Sequence, residues 1–515
     1  MKHSFESVKL CAAALLCAAS GWGQFATPAA GAPSGAQANQ LPLSGKASSG
    51  SVTATQSAVP GTTNSVNTIN PSVQTSGAYA GSTSSVTKLP FSGRLSLQDA
   101  VKRALEFNLG SVGLSLALQQ VKGQQRVVRS ALMPNVNGAV SENVQEVNLR
   151  AQGLRITSPF PGIGLPSIVG PYNYFDLRAR LTQSVADMTA INNYRSAKEL
   201  VRASEFSAQD SKDLVVLAVG GAYLQVIAAK ARVESAKAQL DTANALLNQT
   251  QQQKSVGLVA QIDVNRNEVQ VLTQRQRLST LQNDLAKQKI NLARITGLPP
   301  NDNFDIADDV PFAAAPPLTQ DDAVKRALMQ RADIKAADAQ VKAAEKIVSA
   351  ARAERLPSLA LNGDYGVIGT NPAQSHSTFS VSGTLRIPIW QGGKTEGDIE
   401  EANAELGQRR AELEDVRGQV ESQVRNAFLD LEAATSQVDV ARRNLDVTRE
   451  TLDLTRQRFE AGVTDVVDVS QAQATVAAAE LDYINAVFAH NVAKLSLARA
   501  AGGADQNLGR YLKLQ

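Results

Sequence analysis

The sequence predicts an internally duplicated α+β membrane protein, in which four β-strands of about bilayer length stand on a barrel of long α-helical coiled-coil hairpins. Three observations carry that reading. One series of landmarks occurs twice, at a spacing that changes once along the chain, two proline-free stretches far exceed a globular helix, and four segments alternate polar and apolar residues.

Composition sets the bounds. Aromatic residues are 4% of 515, thin for several compact cores, which points to extended helix. With 51 Lys and Arg against 48 Asp and Glu and no basic stripe, the chain lacks the footprint of a nucleic-acid binder. Residues 1–23 read as a secretory signal: Lys2 and Lys9 precede the apolar run Leu10 to Ala19, and cleavage is expected after Gly23. Both cysteines, Cys11 and Cys17, fall inside it, so the exported chain carries no disulfide, thiolate metal site or cysteine nucleophile. Lipidation of Cys17 is a competing reading, disfavoured by Leu16 where a lipid-attachment site calls for a small residue. Beyond the signal, the longest apolar run, Leu214 to Leu224, falls well short of the ~20 residues of a transmembrane helix. Such an exported chain is periplasmic, secreted, or set in an outer membrane as a β-barrel.

Residues 24–92, rich in Ser, Thr, Gly, Ala and Pro and charged only at Lys46 and Lys88, read as a low-complexity flexible linker. The duplication follows. DAVKRAL occurs at Asp99 to Leu105 and again at Asp322 to Leu328, an offset of 223 that Pro134 and Pro357 share. Gly257 with Gly462, Asp263 with Asp468, Leu292 with Leu497 and Gly297 with Gly502 are all 205 apart. The 18-residue difference is expected in a longer loop at Ala151 to Pro171. The first repeat spans 93–297 and the second 317–503, with a linker at 298–316 and a tail at 504–515.

Each repeat reads as a short helix, two strands and two long helices. Strands are expected at about 135–149, 172–183, 358–367 and 378–387, where apolar residues such as Phe175, Leu177 and Leu181, or Phe379, Val381 and Leu385, alternate with polar ones. Long helices are expected at about 190–256, 260–296, 397–461 and 465–501. The return helix of the first repeat carries Val264, Val271, Leu278, Leu285 and Leu292 at intervals of seven, the period of a left-handed coiled coil. Its counterpart carries alanine at 472, 479, 486, 493 and 500 and a second seam of Leu481, Phe488 and Leu495, which implies neighbours on both sides.

Four strands cannot close a barrel, and open edges in lipid leave unpaired N–H and C=O groups. Closure therefore requires several chains: two give eight strands filled with side chains, three give twelve around a lumen. Tyr172, Tyr174 and Phe175 are expected to form an interfacial girdle.

The duplicated order and the segments VGLVAQIDV (Val256 to Val264) and AGVTDVVDV (Ala461 to Val469) resemble the TolC-type outer-membrane efflux channel family, over about residues 94–503. The resemblance implies a homotrimer with a 12-stranded barrel in the outer membrane of a Gram-negative-type bacterium and a helical tunnel in the periplasm. It implies a passive conduit for efflux or type I secretion, coupled through a periplasmic membrane-fusion adaptor to an inner-membrane pump of RND, ABC or MFS class. On it, Gly257, Leu258, Val259, Gly462 and Val463 fall on adaptor-docking tips, and Asp468, with Asp263, lines the periplasmic aperture. This sequence departs from the family prototype in carrying Gln471 in place of a second aspartate and Thr464 in place of an arginine, which halves the carboxylate charge of the aperture.

No enzyme is expected, nor any cofactor or metal. GxSxG, P-loop and His-Glu-x-x-His patterns are missing, and His376 and His490 show no metal-ligand spacing. The rival reading, a trimeric coiled-coil structural or adhesive outer-membrane protein without a transport role, accounts for heptad helices but not for a strand hairpin in each duplicated half.

Overall fold

The computed structural model describes residues 50–59, 68–83, 93–151, 153, 167–300, 303–308, 310–314, 317–504 and 512. The signal segment with Cys17, most of the C-terminal tail and much of the loop after Ala151 lie outside the described residues.

Two helices, rather than one, open each repeat: α1 (Leu97–Phe107) and α2 (Leu109–Ser130) in the first, α5 (Gln320–Gln330) and α6 (Ala332–Ala353) in the second. The breaks fall at Asn108 and Arg331, whose extended backbone (ψ 132 and 135) interrupts the ladder; the Asn108 side chain then accepts from Gly110 N–H to start the next helix. The long helices are α3 (Met188–Ser255), α4 (Gln261–Thr296), α7 (Lys394–Glu460) and α8 (Val466–Ala501). The 68 residues of α3 and 67 of α7 span about 100 Å at ~1.5 Å per residue. Each is too long for one partner: α3 packs on α4 at one end and on α2 and α6 at the other, and α7 on α8 and α6. Along α3, one apolar window is long enough to cross a membrane on length and composition, but 72% of it is buried within the chain, where Val215, Val216, Val219 and Tyr223 form core.

Strands β4 (Asn135–Asn148), β5 (Ile168–Ala186), β7 (Ser358–Gly369) and β8 (His376–Arg386) form one antiparallel sheet in the order β4-β5-β7-β8. Each repeat gives one hairpin, and the free edges are β4 and β8. Register sorts the side chains onto two faces. The pairs Val136 with Leu181, Val140 with Leu177, Tyr365 with Phe379 and Leu359 with Leu385 share one face, and Val136, Val140, Tyr365, Phe379 and Leu385 are all more than half exposed. The other face carries Asn137, Arg180, Asp364 and Ser380 in consecutive pairs. On it Arg178 bonds Asp176 at 3.2 Å and also Asp364, which takes the Ser380 hydroxyl. A sheet apolar on one face and hydrogen-bonded polar on the other suits lipid outside and water inside. The expected girdle changes: Tyr172 and Tyr174 pair with Gln145 and Asn143 on the polar face, and of the three only Phe175 lies on the apolar one. Parity along the strand decides this, and composition does not reveal it.

The linker expected at 24–92 is corrected over its described part. Strands β1 (Val52–Val59) and β2 (Thr68–Thr75) pair as an antiparallel hairpin, followed by a 3₁₀ turn at Gly77–Ala80. Val52 and Tyr79 are buried in the main core, Tyr79 donates to Ser211 Oγ at 3.3 Å, and Leu109 N–H donates to Gly81 O at 3.0 Å. Glycines make the seat: the Tyr79 ring covers Gly110, and Val73 lies on Gly221 of α3. The inter-repeat linker at 298–316 is likewise packed. Its strand β6 (Asp305–Ile306) pairs in parallel with β3 (Arg94–Leu95), and Phe304, Ile306 and Val310 are core. The Tyr223 hydroxyl lies 2.8 Å from Leu95 O and 2.9 Å from Asp308 Oδ2, and so closes this junction.

Candidate functional site

The two coiled-coil hairpins end in turns built alike. Helix α3 stops at Val256 and Gly257 takes φ +78; Leu258 N–H then donates to Gln253 O and Gly257 N–H to Lys254 O, both at 2.9 Å. At the end of α7, Gly462 has φ +71, Val463 N–H donates to Arg458 O at 2.9 Å and Gly462 N–H to Phe459 O at 3.0 Å. Both are Schellman closures, in which a left-handed glycine lets the chain reverse while the last carbonyls stay bonded.

The starts of the return helices differ. Asp465 caps α8, its carboxylate accepting from Val467 N–H at 2.9 Å and Asp468 N–H at 3.1 Å. Its counterpart ahead of α4 is Ala260, which has no side-chain bond to give. Asp263 and Asp468 are therefore not the caps. Both sit at the third helical position, where the helix dipole favours a carboxylate. Asp263 is half-buried and pairs with Arg266 at 3.2 Å; Asp468 is exposed and accepts from the Thr464 hydroxyl. The structure thus brings Thr464 and Asp468 together and gives Asp263 a different partner. Gln471, one turn on from Asp468, is exposed. The cap at Asp465 was legible as an acid three residues before Asp468; the Arg266 pairing was legible as an i, i+3 pair.

The tips are apolar and open. Leu258, Val463, Val256 and Ile262 are 75, 65, 70 and 57% exposed, and Val259 is half-buried. Just above, Leu246 of α3, Leu452 of α7 and Val469 of α8 form a small core that ties both hairpins of one chain together. Beyond it a polar cleft of about 290 Å³ separates the hairpins, lined by Gln239, Gln274, Arg449, Arg456, Gln473 and Glu480. Glu480 bridges its walls: it accepts from Ser235 Oγ at 2.6 Å and Gln239 Nε2 at 3.3 Å on α3, and pairs with Arg449 of α7 at 3.0 Å. Burial pushes its carboxyl up, but the Ser235 hydroxyl, the Arg449 guanidinium and the Gln239 amide together hold it below the usual range.

The family profile described as outer membrane efflux protein matches residues 113–298 and 323–503, one stretch per repeat. The chain is 24% identical over 323 residues to the pyoverdine export outer membrane protein OpmQ of Pseudomonas aeruginosa, covering 61% of this chain and 66% of the relative's length. It is 23% identical over 400 residues to outer membrane protein TolC of Vibrio cholerae, covering 76% of this chain and 87% of that protein. Among solved structures, outer membrane protein VceC of Vibrio cholerae superposes with a TM-score of 0.66 at 17% identity, over 79% of this chain and 96% of that one, a likeness of fold.

Proposed function

This chain belongs to the outer membrane efflux protein family, and we infer from its unfinished sheet that three copies close a 12-stranded barrel continued by a periplasmic helical tunnel. It is an outer-membrane efflux channel protein and not an enzyme. The observation that carries the trimer is the four-stranded sheet, two-faced and open at β4 and β8, which in lipid requires β8 of one copy to pair with β4 of the next. Three copies give a barrel wide enough for a lumen, lined by the face that carries Arg178, Arg180 and Asp364.

In this reading the conduit is passive. Asp468, made a ring by threefold symmetry, sets the narrowest charged point together with Thr464 and Gln471, and Asp263 stands behind it, tied to Arg266. The exposed tips at Gly257, Leu258, Val259, Gly462 and Val463 dock a periplasmic membrane-fusion adaptor, which couples the tunnel to an inner-membrane pump of RND, ABC or MFS class. Apolar tips without a closing partner support this assignment, because exposed aliphatic side chains clustered on a rigid turn favour a partner surface. The test pairs Leu258→Glu with Val463→Glu. The variant is expected to remain trimeric in detergent and to conduct in planar bilayers while losing its cross-link to the adaptor in cells. Retained cross-linking would remove the docking role, and a purified protein that stayed monomeric would remove the channel.

A further inference from the structure

The chain leaves the barrel through a segment that no part of the channel reading uses. Beyond the last residue of β8, Ile387, Ile389 and Trp390 are 58, 95 and 87% exposed; Pro388 lies between them, and Gly392 (φ +63) and Gly393 (φ +83) then turn the chain into α7. An indole this exposed has a specific preference: its ring is apolar, its N–H seeks a wet partner, and the membrane–water interface satisfies both.

We propose that Trp390, with Ile389, is the inner-leaflet anchor of this protein, seated in the lipid headgroup region on the periplasmic side and fixing how deep the barrel sits. Height supports the placement. Phe379 and Tyr365 are cross-strand partners on the apolar face toward the loop end of the sheet, 77 and 64% exposed, and Phe175 lies on the same face. They form the outer girdle. Trp390 stands eleven residues further along the chain from Phe379. At ~3.3 Å per residue that is at most about 36 Å of extended chain, or about 28 Å along the axis of a barrel with strands tilted ~40°. An apolar band of ~25 Å bounded by aromatic girdles requires its second girdle at that height. Between the two lie Val381, Leu385 and Ile387, a face already committed to lipid that Ile389 continues; Trp390 follows it beyond Arg386, where strand pairing has ended and the alternation no longer fixes its side. The placement rests on the membrane-barrel reading.

The test uses the chain's own fluorescence, since its two tryptophans are Trp22, in the signal segment, and Trp390. Full-length protein with Trp22→Phe is reconstituted in phosphatidylcholine–phosphatidylglycerol vesicles whose acyl chains are brominated either near the headgroup or near the chain end, and conductance is recorded from the same preparation. The expected result is quenching at least about twofold stronger by the shallow bromines than by the deep ones, with little quenching by aqueous iodide. Quenching by iodide alone would place Trp390 in water and overturn the anchor. Protection from both quenchers would bury it against a neighbouring copy and overturn it equally. Conducting vesicles with either outcome refute the anchor and leave the channel standing, whereas vesicles that never conduct would sink the channel reading and the anchor with it.

Discussion

Substituting one glycine tests whether the β1–β2 hairpin is part of the folded body. A Cβ added to Gly221, within α3, would stand 2.5 Å from Val73 Cγ2, 2.6 Å from its Cβ and 2.8 Å from Cγ1. Because the branching carbon itself is too close, no rotamer of Val73 relieves the clash, and either the strand or the helix must move. The helix is held on several sides and gains about 1 kcal/mol of propensity from Gly→Ala. The hairpin is held by Val52, Ala54 and Val73 against one surface of the core. Overpacking of this kind costs about 1–3 kcal/mol, which at 1.4 kcal/mol per decade lowers the docking equilibrium constant by about 5- to 140-fold. Gly221→Ala is therefore expected to lower amide-exchange protection in residues 52–59 and 68–75 by that factor while α3 keeps its own. Adding Val73→Gly, which removes all three clashing atoms, should restore much of the loss relative to Val73→Gly alone. Unchanged protection of the hairpin, or loss spread along α3 instead, would refute the docking described above.

Three further outcomes follow from the geometry. Asp468→Ala should raise conductance and weaken block by divalent cations in planar bilayers, since in the proposed trimer it would remove three carboxylates from one ring; unchanged block would take Asp468 out of the aperture. His490, 1% exposed, packs at 4.7 Å from Phe312 near Lys494 and Asp439. Burial first, and then the Lys494 charge, lower its pKa from 6.5 to about 4. A base that must stay neutral to fold favours the unfolded state as it protonates, so stability should fall as pH drops from about 6.5 and level off near 4, by about 3 kcal/mol at most. His490→Leu should flatten the melting temperature over that window, and an unaltered slope would count against His490 as the cause. Tyr223→Phe leaves Leu95 O and Asp308 without their buried hydroxyl and should cost about 1–3 kcal/mol, read as a lower thermal midpoint with conductance retained; an unchanged midpoint would show that the hydroxyl contributes nothing.

What the sequence shows of this molecule is what periodicity encodes. The seven-residue run from Val264 to Leu292 marks a coiled-coil face, and its ends at Val264 and Leu292 are buried in the folded chain. The strand segments alternate because the sheet has one apolar face and one polar face. The strands Val52–Val59 and Thr68–Thr75 and the turn after them escape this kind of reading because their residues, many of them Thr, Ser, Ala and Gly, have weak preferences of their own; contacts far along the chain, at Gly110, Ser211 and Gly221, decide their structure. Tyr172 and Tyr174 were misplaced for a related reason: a girdle requires aromatic residues of one parity, and parity becomes visible only when Gln145 and Asn143 are seen opposite them. At the tips the glycines and the acid at Asp465 are legible in the sequence, but that Asp465 rather than Asp468 takes the cap is visible only in the bonds to Val467 and Asp468 N–H.

The duplication makes the two tips comparable, and the differences between them are informative. Both close through a glycine with φ near +75, so the exits from α3 and α7 are equally constrained. The returns are not. Asp465 gives α8 a side-chain cap of about 1 kcal/mol that Ala260 cannot give α4. Asp468 then stands on the better-anchored turn with its carboxylate exposed, bonded only locally to Thr464, while Asp263 is drawn to Arg266. One turn leaves its carboxylate exposed with a neutral hydroxyl as partner, and the other ties its carboxylate to a cation on its own helix. Duplication supplied two equivalent positions; the residues around them leave the one in the second repeat without a cationic partner in the ion pairs and hydrogen bonds of the described residues, which is what the proposed aperture role asks of it.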